Sequence, residues 1–154
     1  YFDVQLLNRG IDISDGRTGL FMTETDILRF ADSNFHTIKE SETVASAVAL
    51  MSKIDQSELM VVNGSGEFIG KINSLSLFNK KGTLLSAEVI DKDCIFIDHD
   101  ASLQSAMEIA SDFVGEIIPI IQMDQKKAVA IITEGAIFQA YLSKQNQTVE
   151  VEKR

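Results

Sequence analysis

Four residues in one short stretch, Gly64, Gly66, Gly70 and Lys71, are of the types that cradle a phosphate. A phosphate-binding loop needs a glycine five residues before its Gly-Lys pair and a Ser or Thr directly after the lysine, and here Ser65 and Ile72 occupy those places. The stretch also lies between two apolar runs of strand length, whereas a dinucleotide loop joins a strand to a helix. A hairpin turn is the reading that remains. Asp98, His99 and Asp100 offer three metal-ligand types in a row. Successive side chains of an extended segment point to opposite faces, so these three are not expected to converge on one ion. No Ser or Cys nucleophile can be tied to His36 or His99, and Cys94 reads as a small strand residue, not a reactive thiol. The expectation is a protein without catalytic residues and without a metal site.

Composition narrows the classes further. The 154 residues carry 23 acidic and 14 basic side chains, a formal charge of −9. A nucleic-acid surface needs clustered Lys and Arg, so that class is excluded. With 45% apolar residues and a single proline, the chain is expected to fold around a core. One cysteine cannot form an internal disulfide, which fits a reducing, cytosolic compartment. No apolar stretch approaches the roughly 20 residues that cross a bilayer. The sequence opens at Tyr1 without an initiator Met, which suggests a piece of a longer protein.

The elements that must position these residues come from an internal repeat. Val44, Ala47, Val48, Met51 and Ile54 follow the stripe of an amphipathic helix, and Leu103, Ala106, Met107, Ala110 and Phe113 repeat it 59 residues later. Ser41 and Asp100 are the expected N-caps. Leu59 to Val62 corresponds to Ile118 to Ile121, each a continuous apolar run that suits a buried strand. Polar turns at 63–67 and 122–127 lead into second strands, Phe68 to Ile72 and Ala128 to Ile132, the longer turn moving the offset to 60. Helical patterning then covers Ser74 to Asn79 and Glu134 to Leu142. Short helix starts precede each copy at Thr23 to Asp26, a capping box, and at Ser86 to Glu88. Two βαββα units result, an α/β (α+β) fold. Neither could cover both faces of its sheet alone, so the two are expected to pack about a pseudo-twofold axis.

This pattern resembles the paired CBS domains of a Bateman module. The likeness is best in the second copy, where Ile97-Asp98-His99-Asp100 enters the helix, Glu116 to Ile121 forms the first hairpin strand, and Ala130-Ile131-Ile132-Thr133 forms the segment after it. In the first copy Phe68 to Ser74 holds that last place. Tyr1 to Ile13, followed by Gly16 and Arg17, is similar to the linker that joins the last membrane helix of ClC-type chloride channels and transporters to their CBS pair. The resemblance implies a linker over 1–22, a first repeat over 23–82, a second over 83–145 and a flexible tail over 146–154.

The family resemblance also implies a ligand position between the repeats, where an adenine nucleotide such as AMP, ADP or ATP lies. A Thr and an Asp three residues apart hold its phosphate and ribose. Thr133 stands at the Thr position of the second copy but Ala136 at the Asp position, while Asn73 and Ser76 take the two places in the first. Loss of the carboxylate would weaken such a ligand by roughly 1.5 to 3 kcal/mol. The implied contacts are Asn73, Ser74, Thr133 and Glu134 on the sugar and phosphate side, with Thr37, Ile38, Ile118 and Pro119 near the base. The acidic chain favours adenosine or AMP over a polyphosphate unless Lys71 compensates. A second reading leaves Thr133 and Ser74 as helix caps and Pro119 as the mark of a strand edge.

As a whole, the resemblance implies a non-catalytic regulatory unit on the cytoplasmic face of a membrane. It would form a homodimer through its CBS helices and pass conformational changes to the membrane domain of a chloride channel or chloride/proton antiporter. Two rivals stay open: a dimerising module that binds no small molecule, and a CBS regulator of another transporter or of an enzyme.

Overall fold

The computed structural model describes residues 27–80, 83–87 and 89–153. The first repeat runs β1 (Thr37–Lys39), α1 (Val44–Ile54), β2 (Glu58–Val62) and β3 (Phe68–Asn73). The second runs β4 (Ile97–Asp98), α2 (Leu103–Ala110), β5 (Ile118–Gln122), β6 (Lys127–Ile132) and α3 (Glu134–Lys153). Each repeat forms a three-stranded sheet, ordered β1-β2-β3 and β4-β5-β6. In both, the first two strands are parallel and joined through a helix, and the last two form an antiparallel hairpin. This is the expected mixed α/β pattern, because a parallel pair requires a crossover while an antiparallel one closes with a short turn.

Each helix starts where the sequence changes from polar residues to the apolar stripe, but the caps are not Ser41 and Asp100. Thr43 caps α1 by accepting from the Ser46 N–H, and Ser102 caps α2 by accepting from the Ser105 N–H, both at 3.1 Å. An N-cap oxygen must reach the amide three residues on, so Ser41 and Asp100 stand two residues too early. The true caps are themselves 59 residues apart. Phe113, the last residue of the second stripe, lies beyond the end of α2 yet stays buried.

The buried strands split their side chains between two cores. Leu59 and Val61 pack under α1 with Ile38, Val44, Ala47, Met51 and Ile72. Ile118 and Ile120 pack under α2 and α3 with Leu103, Met107, Ile137 and Tyr141. Met60, on the opposite face of β2, joins Ile117 and Ile131 in a third cluster between the repeats, flanked by Phe35, Phe68 and Ala128. Sheets covered on both faces explain why these strands read as continuous apolar runs.

The segments ahead of each repeat cross over to the other one. Ile27, in a short 3-10 turn (Ile27–Phe30), is fully buried in the core of the second repeat. Leu85 and Val89 are buried in the core of the first. The Asp32 N–H donates to Ile131 O at 2.8 Å, and the Ile131 N–H donates back at 2.9 Å. Fifty-nine residues on, Asp91 makes the same exchange with Lys71 at 2.8 and 3.1 Å. Gly70 admits this crossing segment: a Cβ there would lie 2.5 Å from Asp91 O and 2.7 Å from a methyl carbon of Ile90. The repeats therefore share a reciprocal, pseudo-twofold contact.

Three sequence expectations need correction here. Residues 74–79 form successive turns rather than an α-helix, with bonds from Leu77 N to Ser74 O and from Phe78 N to Leu75 O, and Asn79 in the left-handed region (φ 62°). Pro119 is not at a sheet edge but in the central strand β5, opposite Ile131. Its missing N–H is tolerated because β4 is only two residues long and its register begins at Ile120, while Ile131 spends its backbone groups on Asp32. Finally, α3 continues to Lys153, so the tail expected from residue 146 extends the helix. The capping box at Thr23 to Asp26 and the linker over 1–22 lie outside the described residues.

Candidate functional site

The ends of the two sheets meet through a small polar network inside an otherwise apolar interface. Glu58, the first residue of β2, is 7% exposed; its Oε1 accepts from the backbone N–H groups of Glu116 and Ile117 at 2.7 and 2.8 Å. The same oxygen accepts from Lys71 Nζ at 2.9 Å. Lys71 is also 7% exposed, donates to Ile117 O at 2.9 Å, and holds its ammonium 4.9 Å from the centre of the Phe113 ring. In return Glu116 Oε1 accepts from the Ser57 N–H at 2.9 Å. Carboxylates from each repeat thus bind backbone amides of the other. Among the described residues no buried side-chain polar atom is left without a partner.

The repeat offsets show how unequal the two sides of this junction are. Glu58 corresponds to Ile117 and Lys71 to Ile131, so an apolar contact on one side is replaced by a buried ion pair on the other. Sequence reasoning offered Lys71 as a surface cation for phosphate, and the structure turns it inward. The available signal was a lone lysine between the apolar residues Ile69 and Ile72 on a strand, which a solvated surface strand would not need.

The eight implied ligand contacts fall at this junction, but not all face it. Asn73 pairs with Glu58 across β2–β3, and Thr37 lies at the start of β1, so Thr37, Asn73 and Ser74 share one end of the first sheet. Ile118, Pro119, Thr133 and Glu134 share the matching end of the second. Ile38 and Ile118, however, point into the cores beneath the helices, which corrects their assignment to a base-binding wall. Strand alternation leaves Thr37 and Pro119 for the other faces. Asn73 Oδ1 accepts from the Ser76 N–H at 2.9 Å, and Thr133 Oγ1 accepts from the Ala136 N–H at 3.1 Å. The capping role expected of Ser74 therefore belongs to Asn73. Ser74 and Glu134 are exposed.

Asp98, His99 and Asp100 do converge, contrary to the sequence expectation. β4 ends at Asp98 and the chain turns, with Asp98 Oδ1 accepting from the Asp100 N–H at 3.2 Å. His99 Nδ1 lies 3.1 Å from Asp98 Oδ1, and its Nε2 lies 3.2 Å from Asp100 Oδ1. Side-chain atoms of all three lie within 4.8 Å of one another. The argument from an extended backbone failed because the segment is not extended past Asp98.

Burial pushes the Cys94 thiol up to about 11. The Lys71 ammonium opposes that shift, while the charges of Asp91 and Glu58 reinforce it. A thiol held neutral at physiological pH is a poor nucleophile. Among the described residues, no helix is long and apolar enough to cross a membrane.

Comparison with known proteins agrees with this architecture. The family model for the CBS domain matches residues 25–80 and again 86–143. Similar solved structures include the cystathionine beta-synthase pair domain of a putative Mg2+ transporter from Shewanella oneidensis, at 16% identity and a TM-score of 0.69, covering 90% of this chain and 86% of that one. CBSX2 in complex with AMP is 18% identical, with a TM-score of 0.63 and coverage of 84% and 98%. CbpB in complex with c-di-AMP is 15% identical, with a TM-score of 0.71 and coverage of 88% and 96%. No curated protein matches the chain by sequence. Since the two family matches fall on the two repeats that exchange their leading segments, the chain belongs to the CBS-domain family as a tandem pair.

Proposed function

We propose that this CBS pair is a regulatory and dimerising module without catalytic activity of its own, which binds an adenine nucleotide between its repeats. The observation that carries the reading is the shared junction. A ligand held by both sheet ends must alter how the repeats pack, and a population shift of that kind is what regulation requires. AMP-bound and c-di-AMP-bound neighbours of the same fold support the choice of ligand class. The side flanked by Phe35, Ile117 and Ile131 supplies an apolar wall, whereas the other side is filled by Lys71 and Phe113. Thr133 supplies a hydroxyl for ribose or phosphate, and Glu134 in the first turn of α3 disfavours a polyphosphate.

The parent is proposed to be a chloride channel or chloride/proton antiporter with this module on its cytoplasmic face. Support comes from the likeness of Tyr1 to Ile13, Gly16 and Arg17 to the linker of that family. Phe138 and Leu142 on α3, 47% and 38% exposed, provide a helical face for a second copy. The parent reading expects apolar spans encoded upstream of Tyr1; a soluble enzyme upstream would assign the module elsewhere.

Thermal unfolding with millimolar adenosine, AMP, ADP and ATP tests the ligand. At 100 times its dissociation constant a ligand adds about 2.7 kcal/mol, and the resulting rise in Tm is expected to be largest for adenosine or AMP and to shrink in Thr133→Val. No rise with any of them favours the second reading, a dimerising module without ligand. The capping roles of Asn73 and Thr133, together with Ser76 and Ala136 where a carboxylate would hold ribose, are the observations behind that reading.

A further inference from the structure

The two sides of the junction are built from equivalent positions of opposite chemistry. Phe35, Ile117 and Ile131 pack together on one side. Cys94 stands 59 residues after Phe35, Glu58 stands 59 before Ile117, and Lys71 stands 60 before Ile131. These three form the other side, where the charges of Lys71 and Glu58 both act on the Cys94 thiol. A pseudo-twofold axis alone would make the sides alike. The sequence instead fills one of them with a carboxylate and an ammonium.

What that carboxylate meets has the form of an anion site. The successive N–H groups of Glu116 and Ile117 converge on Glu58 Oε1 at 2.7 and 2.8 Å, and Lys71 Nζ donates to the same oxygen at 2.9 Å. Two adjacent amides and a cation aimed at one oxygen are the arrangement that holds free carboxylates and phosphates. Gly115 lets the loop close over it, since a Cβ there would lie 2.7 Å from Glu58 Oε2 and 2.8 Å from the Phe113 ring, at a φ of 153°. Lys71 has further partners in Ile117 O and the Phe113 ring, so its ammonium does not depend on Glu58 alone for its place. We propose that Glu58 is a built-in ligand: its carboxylate occupies an anion site made by the Glu116 and Ile117 amides and Lys71, and so closes one of the two equivalent sides of the junction. The first repeat thereby supplies to the second what a bound anion would supply, and the module takes one adenine nucleotide per chain, on the side of Ile117 and Ile131. The count of one rests on the nucleotide reading; the anion site does not.

Truncation separates the site from its occupant. In Glu58→Ala the amides and the ammonium remain, and sodium formate is expected to raise Tm by about 2–4 °C beyond its effect on the unaltered chain, whereas sodium chloride at equal ionic strength does not. If Glu58→Ala is unfolded in chloride, recovery of its circular-dichroism signal in formate is the same result. Glu58→Ala with Lys71→Met is expected to lose the formate response. No difference between formate and chloride, in Tm or in recovered fold, overturns the built-in ligand. Calorimetric titration with AMP is expected to find one site on the unaltered chain and a second in Glu58→Gln with Lys71→Ala, which keeps an acceptor for the amides and shortens the side chain that fills the space. Two AMP on the unaltered chain, or one on both, overturns the closure. No AMP on either overturns the nucleotide reading, and the formate comparison then decides the anion site by itself.

Discussion

Lys71 sits on a strand where the second repeat has isoleucine, and its ammonium is held by a carboxylate, a carbonyl and an aromatic face. A charge in that position is tolerated only as part of a complete set of partners. Glu58→Ala removes the carboxylate and also leaves the Glu116 and Ile117 amides without their acceptor, so it is expected to destabilise the chain by about 3–5 kcal/mol in urea denaturation. Glu58→Gln with Lys71→Met keeps an acceptor for those amides and fills the space with an apolar chain, and is expected to cost about 1–2 kcal/mol. If the double variant is as unstable as Glu58→Ala, the junction depends on charge itself, not on satisfied polar groups. At this scale the types were legible and the partners were not. The capping role of Thr133 was anticipated from one hydroxyl at a helix start, and the apolar neighbours of Lys71 hinted at an inward lysine, but Glu58, Ile117 and Phe113 as its partners came only with the fold.

Helices α1 and α2 owe their starting points to hydroxyl caps that recur with the repeat. Thr43→Ala and Ser102→Ala are each expected to lower stability by about 1 kcal/mol, measured by thermal or urea unfolding. Ser41→Ala is expected to change it by less than about 0.5 kcal/mol, since Ser41 is an exposed residue outside the helix. Larger loss from Ser41 than from Thr43 would contradict the cap assignment. The apolar stripes and buried runs make these elements legible in the sequence, because a face that meets a core imposes its period on the sequence. The cap register needed the backbone, since several polar residues precede each stripe and only the one whose oxygen reaches the third amide can serve. The turns of 74–79 escaped for a similar reason: a short apolar cluster has too few turns for its period to separate a helix from a set of bends.

The two repeats of the sequence are not the two packing units of the molecule. Ile27 belongs by sequence to the first repeat but is buried in the core of the second, and Leu85 and Val89 make the opposite crossing. An isolated fragment of residues 86–143 therefore lacks Ile27 from its core and the Asp32 bond to Ile131. It is expected to show no cooperative unfolding by circular dichroism, while the whole chain unfolds in one transition with equal calorimetric and van't Hoff enthalpies. Two separate transitions in the whole chain would show that the exchange contributes little.

From its own pattern the sequence determined that the β-α-β-β order occurs twice and which strands are covered on both faces. Those properties follow from local periodicity and from residue type, which do not depend on distant partners. Tertiary structure alone decided that the leading segments cross over and that Glu58 and Lys71 close one side of the junction. Each of these is a contact between residues far apart in the chain, and a sequence period carries no information about which distant surface a face will meet.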